Sequence, residues 1–301
     1  MRNLLLFFLA GSLCLAGCGK GDGEGDQTPE PQTPPAEPSK IPINIMTGIW
    51  TRATDSAFEQ GDKAGIYVVN FNGESAGSMA TTGNHVDNMR FTYSGTWTPD
   101  TPIYWKDQTT KADFYCYYPY AESIGNVGAY AFSVKADQSS ESNYKASDFL
   151  WGKTAGVTPT SDPVQITVKH VMSNLLIYLK AGNGYKDEDL KQAQITICGL
   201  KTDATIDLTT GKAIAAGTAV DMTPKAETDC YRALVVPQSV ADADLIKVSI
   251  GEYAYVLKQT IAFESNKQHS CTLTVNKTSE GINIGIGDWE TDDTDYGGSV
   301  E

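Results

Sequence analysis

Histidines, cysteines and paired carboxylates are the side chains of this 301-residue chain best suited to chemistry, and none stands in a catalytic spacing. His85, His170 and His269 are isolated from one another in sequence. No H-E-x-x-H zinc motif and no G-x-S-x-G nucleophile turn is present. His170, within Val168-Lys169-His170-Val171, reads as a strand-end histidine making local hydrogen bonds rather than as a general base. Asp113 and Asp148 are the acidic pair to consider for glycoside hydrolysis, which needs two carboxylates across one bond. Nothing in the sequence brings them together, so turn capping or a solvated surface is expected. The Gly281 to Gly287 run misses the dinucleotide fingerprint and follows no βα unit. Asp292-Asp293-Thr294-Asp295 lacks the full spacing of a calcium loop and reads as a charged tail. The expectation is a chain with no catalytic residues, no metal and no cofactor, and hence not an enzyme.

Of six cysteines, Cys14 and Cys18 lie near the N-terminus. Cys116, Cys198, Cys230 and Cys271 are far apart, with no C-x-x-C pair to hold zinc. Buried free thiols are expected; a disulfide is the alternative that an oxidising compartment allows. Cys18 is different. Residues 1–17 carry Arg2 and then the apolar run Leu4 to Ala10, a signal peptide too short to anchor stably across a bilayer. It closes on Leu15-Ala16-Gly17-Cys18, which matches the bacterial lipobox, where cleavage precedes the cysteine and its thiol is acylated. The lipid would hold the protein at an outer membrane. Residues 18–40 form a linker, first flexible and acidic (Gly19 to Asp26), then proline-rich. The acidic stretch resembles an outer-face export signal and serves equally as a solvated spacer.

The elements that follow are strands. Residues Ile43 to Arg52 alternate apolar and polar positions and end on an arginine, with Ala53 next. Strand-like runs separated by turn residues continue through Tyr67, Tyr93, Tyr117, Phe132 and Trp151, and again from Val164 to Val275. Short strands at this spacing indicate an all-β sandwich architecture, with one short helical turn between Tyr185 and Gln192. The length suits two domains, and Thr154 to Pro163, rich in Thr, Pro and Ser, is the expected boundary. This divides the folded part into residues 41–160 and 161–301. The aromatic cluster from Tyr104 to Tyr120 is expected to fill a core; the alternative is a platform that binds glycan or host protein. Near the C-terminus, Ile282, Ile284 and Ile286 recur at period two before Trp289, an apolar strand followed by an acidic tail. A formal charge of −14, from 23 basic and 37 acidic side chains, excludes nucleic acid as a partner.

Taken in order, several segments resemble the fimbrillin family of type V pilins. They are Arg52-Ala53-Thr54, Gly61-Asp62-Lys63-Ala64-Gly65-Ile66-Tyr67, Ile103-Tyr104-Trp105, Asp113 to Tyr120, Asp148-Phe149-Leu150-Trp151-Gly152, Lys169-His170-Val171, Val236-Pro237-Gln238 and Gly287-Asp288-Trp289. The resemblance implies two tandem transthyretin-like β-sandwich domains behind a lipoprotein signal. It also implies processing by an arginine-specific, trypsin-like protease, here between Arg52 and Ala53. The cut would release the lipid at Cys18 together with a displaced strand carrying Ile43, Ile45, Ile49 and Trp50. A strand of another pilin subunit would then fill the groove, with Ile282, Ile284, Ile286 and Trp289 as the donor in this chain. Such head-to-tail contacts build open filaments. If Ile282 to Trp289 is instead a fixed last strand, the subunit accepts a partner without donating to one. The competing expectation is an anchored surface lipoprotein that binds glycan or host protein.

Overall fold

The computed structural model describes residues 40–49, 58–277 and 284–286, the last three and Ile49 by their backbone alone. The architecture is all-β with sandwich-like sheets. In chain order the first half contains β1 (Ile45–Ile49), β2 (Lys63–Asn70), β3 (Val86–Tyr93), β4 (Trp97–Pro99), β5 (Ala112–Tyr118), β6 (Tyr130–Ser133), a short helix α1 (Glu141–Lys145), β7 (Leu150–Val157) and β8 (Val164–His170). The second half contains β9 (Ser173–Ala181), a helical turn α2 (Asp187–Leu190), β10 (Gln194–Asp207), β11 (Lys212–Met222), β12 (Lys225–Ala226), β13 (Tyr231–Val235), β14 (Gln238–Ile250), β15 (Tyr253–Phe263), β16 (Gln268–Val275) and β17 (Ile284–Ile286). The α2 turn falls inside the segment where one was expected.

Seven strands of the first half form one sheet in the order β1-β8-β7-β5-β2-β3-β4. Its central strands are apolar on both faces. Ala64, Ile66 and Val68 of β2 and Ala112, Phe114 and Cys116 of β5 face one core, which the sheet curls around. Tyr67 and Val69 of β2 and Tyr115 and Tyr117 of β5 face a second core, shared with the second half of the chain. This two-sided burial explains why β5 reads as a near-continuous aromatic run rather than a clean alternation.

The second half is a sandwich of the sheets β11-β10-β14-β15 and β12-β13-β9-β16-β17. Leu175, Ile177, Ile197, Ile206, Val235, Ile246 and Leu273 meet between them. β6, from the first half, pairs with β10 of the second. Fully buried Gln138 follows it: its side-chain oxygen accepts from the Leu234 N–H (2.9 Å) and its amide donates to the Leu234 carbonyl (2.8 Å). One side chain thus satisfies a main-chain pair where no strand does.

The Thr154 to Pro163 segment does not separate sheets. It joins β7 to β8, which are antiparallel neighbours, and the chain leaves the seven-stranded sheet only past His170. Threonine, proline and serine mark a turn here, and composition alone does not distinguish a turn within a sheet from a linker between domains.

Two glycines are required by close approach. A Cβ on Gly65 would lie 2.1 Å from the ring of Tyr117, and one on Gly152 would lie 2.2 Å from the Thr167 carbonyl oxygen. The ring can move and the backbone cannot do so cheaply. Gly152→Ala is therefore expected to lower stability by about 1–3 kcal/mol by forcing β7 from β8. A denaturation midpoint equal to that of the unsubstituted protein would show that the strands accommodate the methyl group.

Candidate functional site: the first strand and its groove

The segment 41–49 is the seam of the curled sheet. β1 is an edge strand and pairs parallel with β8, in register from Ile45 opposite Val164 to Ile49 opposite Val168. Just before it, the same segment pairs antiparallel with residues that follow β4, near the sheet's other edge. The Ile43 N–H donates to the Ile103 carbonyl and the Trp105 N–H to the Ile41 carbonyl, both at 2.9 Å. The Val164 N–H donates to the Asn44 carbonyl at 2.8 Å. Nine residues therefore hydrogen-bond to both ends of the sheet.

Alternation decides what the seam covers. Ile43 and Ile45 point into the inner core with Ile103, Trp105, Phe114, Val164, Ile166 and Val168. Met46 points outward and is half exposed. Trp105 forms the floor: it packs edge-on against Phe114 at 5.3 Å, and its indole N–H donates to the Thr160 carbonyl at 3.0 Å. That bond does not involve the first strand. The Thr47 hydroxyl oxygen is buried and has no hydrogen-bond partner among the described residues, an imperfect fit for the resident strand.

The expected displaced residues thus divide. Ile43 and Ile45 sit in the groove, whereas only the backbone of Ile49 is described. Trp50, the Arg52–Ala53 bond and Cys18 lie outside the described residues. Toward the C-terminus, Ile284 to Ile286 pair antiparallel with Leu273 to Val275 at the edge of the sheet β12-β13-β9-β16-β17; Ile282 and Trp289 lie outside the described residues. The antiparallel hold of 103–105 on the first strand was missed in the sequence. Its signal was Ile103-Tyr104-Trp105, apolar at alternate positions but too short to read as a strand partner.

The other chemical candidates take structural places. Asp113 pairs with Lys153 at 2.8 Å and accepts from the Gly156 N–H, while Asp148 lies 2.7 Å from His170 Nδ1. Each carboxylate is engaged separately. His170 is the strand-end histidine expected. Trp105, Phe114, Tyr115 and Tyr117 are buried, and of the aromatic cluster only Tyr104 is substantially exposed; these rings build cores and offer no platform. The four cysteines are free thiols, Cys116 and Cys271 buried. Burial pushes the Cys116 thiol up to about 12 and that of Cys271 to about 11, so both stay protonated and inert. A cleft of about 310 Å³ lies where Trp151, His170, Gly211 and Asn266 converge. No metal-ligating cluster occurs among the described residues, and no helix among them is long and apolar enough to cross a membrane.

A structure built on an edge-sealed, curled sheet and lacking a catalytic constellation among its described residues fits a structural class of protein. A family model described as fimbrillin-like matches residues 51–289, and the chain belongs to that family. It is similar to a candidate fimbrium subunit, Fim1C, of Bacteroides uniformis, at 27% identity over 255 residues, covering 79% of this chain and 81% of that one. Among solved structures, a candidate cell adhesion protein of Bacteroides ovatus matches with a TM-score of 0.68 at 19% identity, covering 84% of this chain and 98% of that chain. Another from Bacteroides uniformis matches with a TM-score of 0.65 at 23% identity, covering 83% and 98%. These two establish the likeness of fold. The relatives are fimbrial and adhesion proteins rather than enzymes.

Two outcomes follow from the geometry. Ile43→Ala removes a nearly fully buried side chain from the seam, at an expected cost of about 2–5 kcal/mol. Met46→Ala, on the outward face, should cost well under about 1 kcal/mol; equal losses in chemical denaturation would contradict the inward orientation of Ile43 and the outward one of Met46. The second concerns His269, buried on β16 against Phe263. Burial pushes its imidazole below the ordinary value. The unfolded chain then binds the proton more readily, so this stabilisation is complete above about pH 6.5 and is lost as pH falls through the lower folded value. Stability measured from about pH 8 to pH 5 should decline below pH 6.5, and His269→Gln should flatten that part of the decline.

Proposed function

We propose that this chain is a subunit of a type V pilus, exported as a lipoprotein acylated at Cys18 and presented at the outer membrane. An arginine-specific protease of the trypsin type cuts between Arg52 and Ala53. The first strand, Ile43 to Trp50, is then no longer covalently joined to the fold it seals. Its departure leaves the unpaired edge of β8 and the apolar floor at Trp105 and Ile166, and a strand from another pilin subunit fills the groove. The subunit's place is thereafter the fimbrium, outside the cell.

The observation that carries this reading is the two-sided pairing of residues 41–49, which makes one short terminal segment the seal of a whole core. Main-chain bonds supply affinity for any incoming strand, and the Ile43 and Ile45 pockets select for apolar side chains at alternate positions. We also keep two sandwich domains as our reading, the first ending near His170 rather than at residue 160, with β6 crossing between them. The aromatic-face alternative draws no support, because its rings are buried.

Incubating the full-length protein with trypsin or an arginine-specific protease tests the proposal. A single early cut with Ala53 as the new N-terminus is expected, followed by multimers that resist mild detergent, and Arg52→Ala should abolish both. A protein that is cut elsewhere, or cut at Arg52 and remains monomeric, would remove the polymerising role.

A further inference from the structure

A cleft of about 310 Å³ opens where β7 and β8 meet two turns of the second half of the chain. It has no part in strand exchange, since no residue of 41–49 lines it. We propose that this cleft binds an acidic sugar, a pyranose ring carrying one carboxylate, with Lys169 toward the charge and Thr210, Ser265 and Asn266 against the hydroxyls.

The site is built from three stretches of chain that are each pinned. Trp151 and Lys169 are direct partners across the β7–β8 ladder and so share one face of the sheet. The Trp151 indole N–H donates to the Leu208 carbonyl at 2.7 Å, which fixes the ring. The β10–β11 turn lies directly against that ring: Gly211 has a positive φ of 74°, and a Cβ there would come within 2.4 Å of the indole. The β15–β16 turn is held to the chain beyond β8. Ser265 Oγ donates to the His170 carbonyl at 3.3 Å and the Asn266 N–H to the Met172 carbonyl at 3.2 Å, with Asn266 in the left-handed region at φ 59°. The volume lies at the lower end of the roughly 300–1,000 Å³ usual for small-molecule sites.

Charge and composition select the ligand. The chain carries a formal charge of −14, yet none of the described residues lining the cleft is acidic. Carboxylates close by are committed elsewhere: Asp207 accepts from the Thr209 and Thr210 hydroxyls within its own turn, and Asp148 lies 2.7 Å from His170 Nδ1. Lys169 therefore sets the local sign. Trp151 and Val171 supply the apolar surface, which is too small for an acyl chain. A polyphosphate calls for more than one lysine. A peptide strand needs an open edge, and at Trp151 β7 is already paired with β5 and with β8. A sugar acid matches what is present. Its C–H face packs on apolar carbon, and its carboxylate takes a charge-assisted bond from Lys169. Thr210 and Ser265 already donate within the protein, so their oxygens accept from sugar hydroxyls, and the Asn266 carboxamide can both donate and accept.

The test uses full-length protein labelled with fluorotryptophan. In its fluorine NMR spectrum the Trp151 signal is the one missing from Trp151→Phe. Glucuronic, galacturonic and N-acetylneuraminic acids are titrated beside glucose, galactose and N-acetylmannosamine. At least one acid should move the Trp151 signal with a dissociation constant of about 1–10 mM, about fivefold tighter than its neutral counterpart. Lys169 and Asn266 are exposed, so substituting them should leave the fold intact. Lys169→Gln should remove the preference for the acid. Asn266→Gly keeps the left-handed backbone and should weaken binding about threefold. Lys258→Gln, at an exposed lysine outside the cleft, should leave binding within about twofold. The proposal is overturned if no acid moves the Trp151 signal, if acids and neutral sugars bind alike, or if Lys258→Gln weakens binding as much as Lys169→Gln does.

Discussion

The structure depends on a sheet edge that is closed by residues 41–49. A seven-stranded sheet curled around one core leaves two edges to satisfy, and residues 41–49 hydrogen-bond to residues near both of them. Open edges expose unpaired main-chain groups, and here the same opening would also expose apolar side chains. Residues 41–49 close the sheet as one short segment that precedes all its other strands in the chain. The placement of Trp105 matters in this light. Its indole bond to Thr160 and its packing on Phe114 tie the 103–105 segment to the β7–β8 turn independently of the first strand. The two walls of the groove therefore have a connection that survives the loss of the strand between them.

The two halves of the chain are held differently. The central strands β2 and β5 separate the inner core from the core shared with the second half, so the seven-stranded sheet acts as a common wall. Gln138, buried completely, ties the segment after β6 to β13 through both main-chain groups of Leu234. Replacing a strand partner with one carboxamide keeps both main-chain groups of Leu234 satisfied while the chain crosses between sheets. The seam therefore borders one core, and the shared core with its polar ties lies apart from it.

Much of this was legible in the sequence because strands advertise themselves by period. Ile43 and Ile45, the apolar runs of β2 and β5, the strand-end place of His170 and the structural role of the aromatics all follow from spacing and residue type. What was not legible depends on distance along the chain. Nothing local to Thr154–Pro163 says that β7 and β8 are neighbours, so a turn read as a boundary. Nothing local to Ile103-Tyr104-Trp105 says that it holds Ile41 and Ile43. The Gly152 contact with the Thr167 carbonyl is likewise invisible until two strands are placed side by side. Composition reports the environment of a residue, whereas pairing reports its partner, and a single sequence carries the first far more strongly than the second.

The described sheet edges are protected in different ways. β11 is an edge strand, and it is interrupted by a bulge opposite Thr202, where Gly217 adopts a positive φ of 72°. β15 is a long edge strand whose pairing with β14 shifts register twice, and Lys258 stands near its middle with its side chain 69% exposed. Bulges and outward lysines are the ordinary means of preventing an edge from pairing with another chain. β8 and β16 carry no proline, their pairings with β1 and β17 show no register shift, and residues 45–49 and 284–286 cover them. β11 and β15 are thus protected by shape and charge, whereas β8 and β16 are covered by residues 45–49 and 284–286. A protein whose edges all needed protection would blunt all of them. Among the described edges, β8 and β16 are thus covered by residues 45–49 and 284–286 rather than blunted.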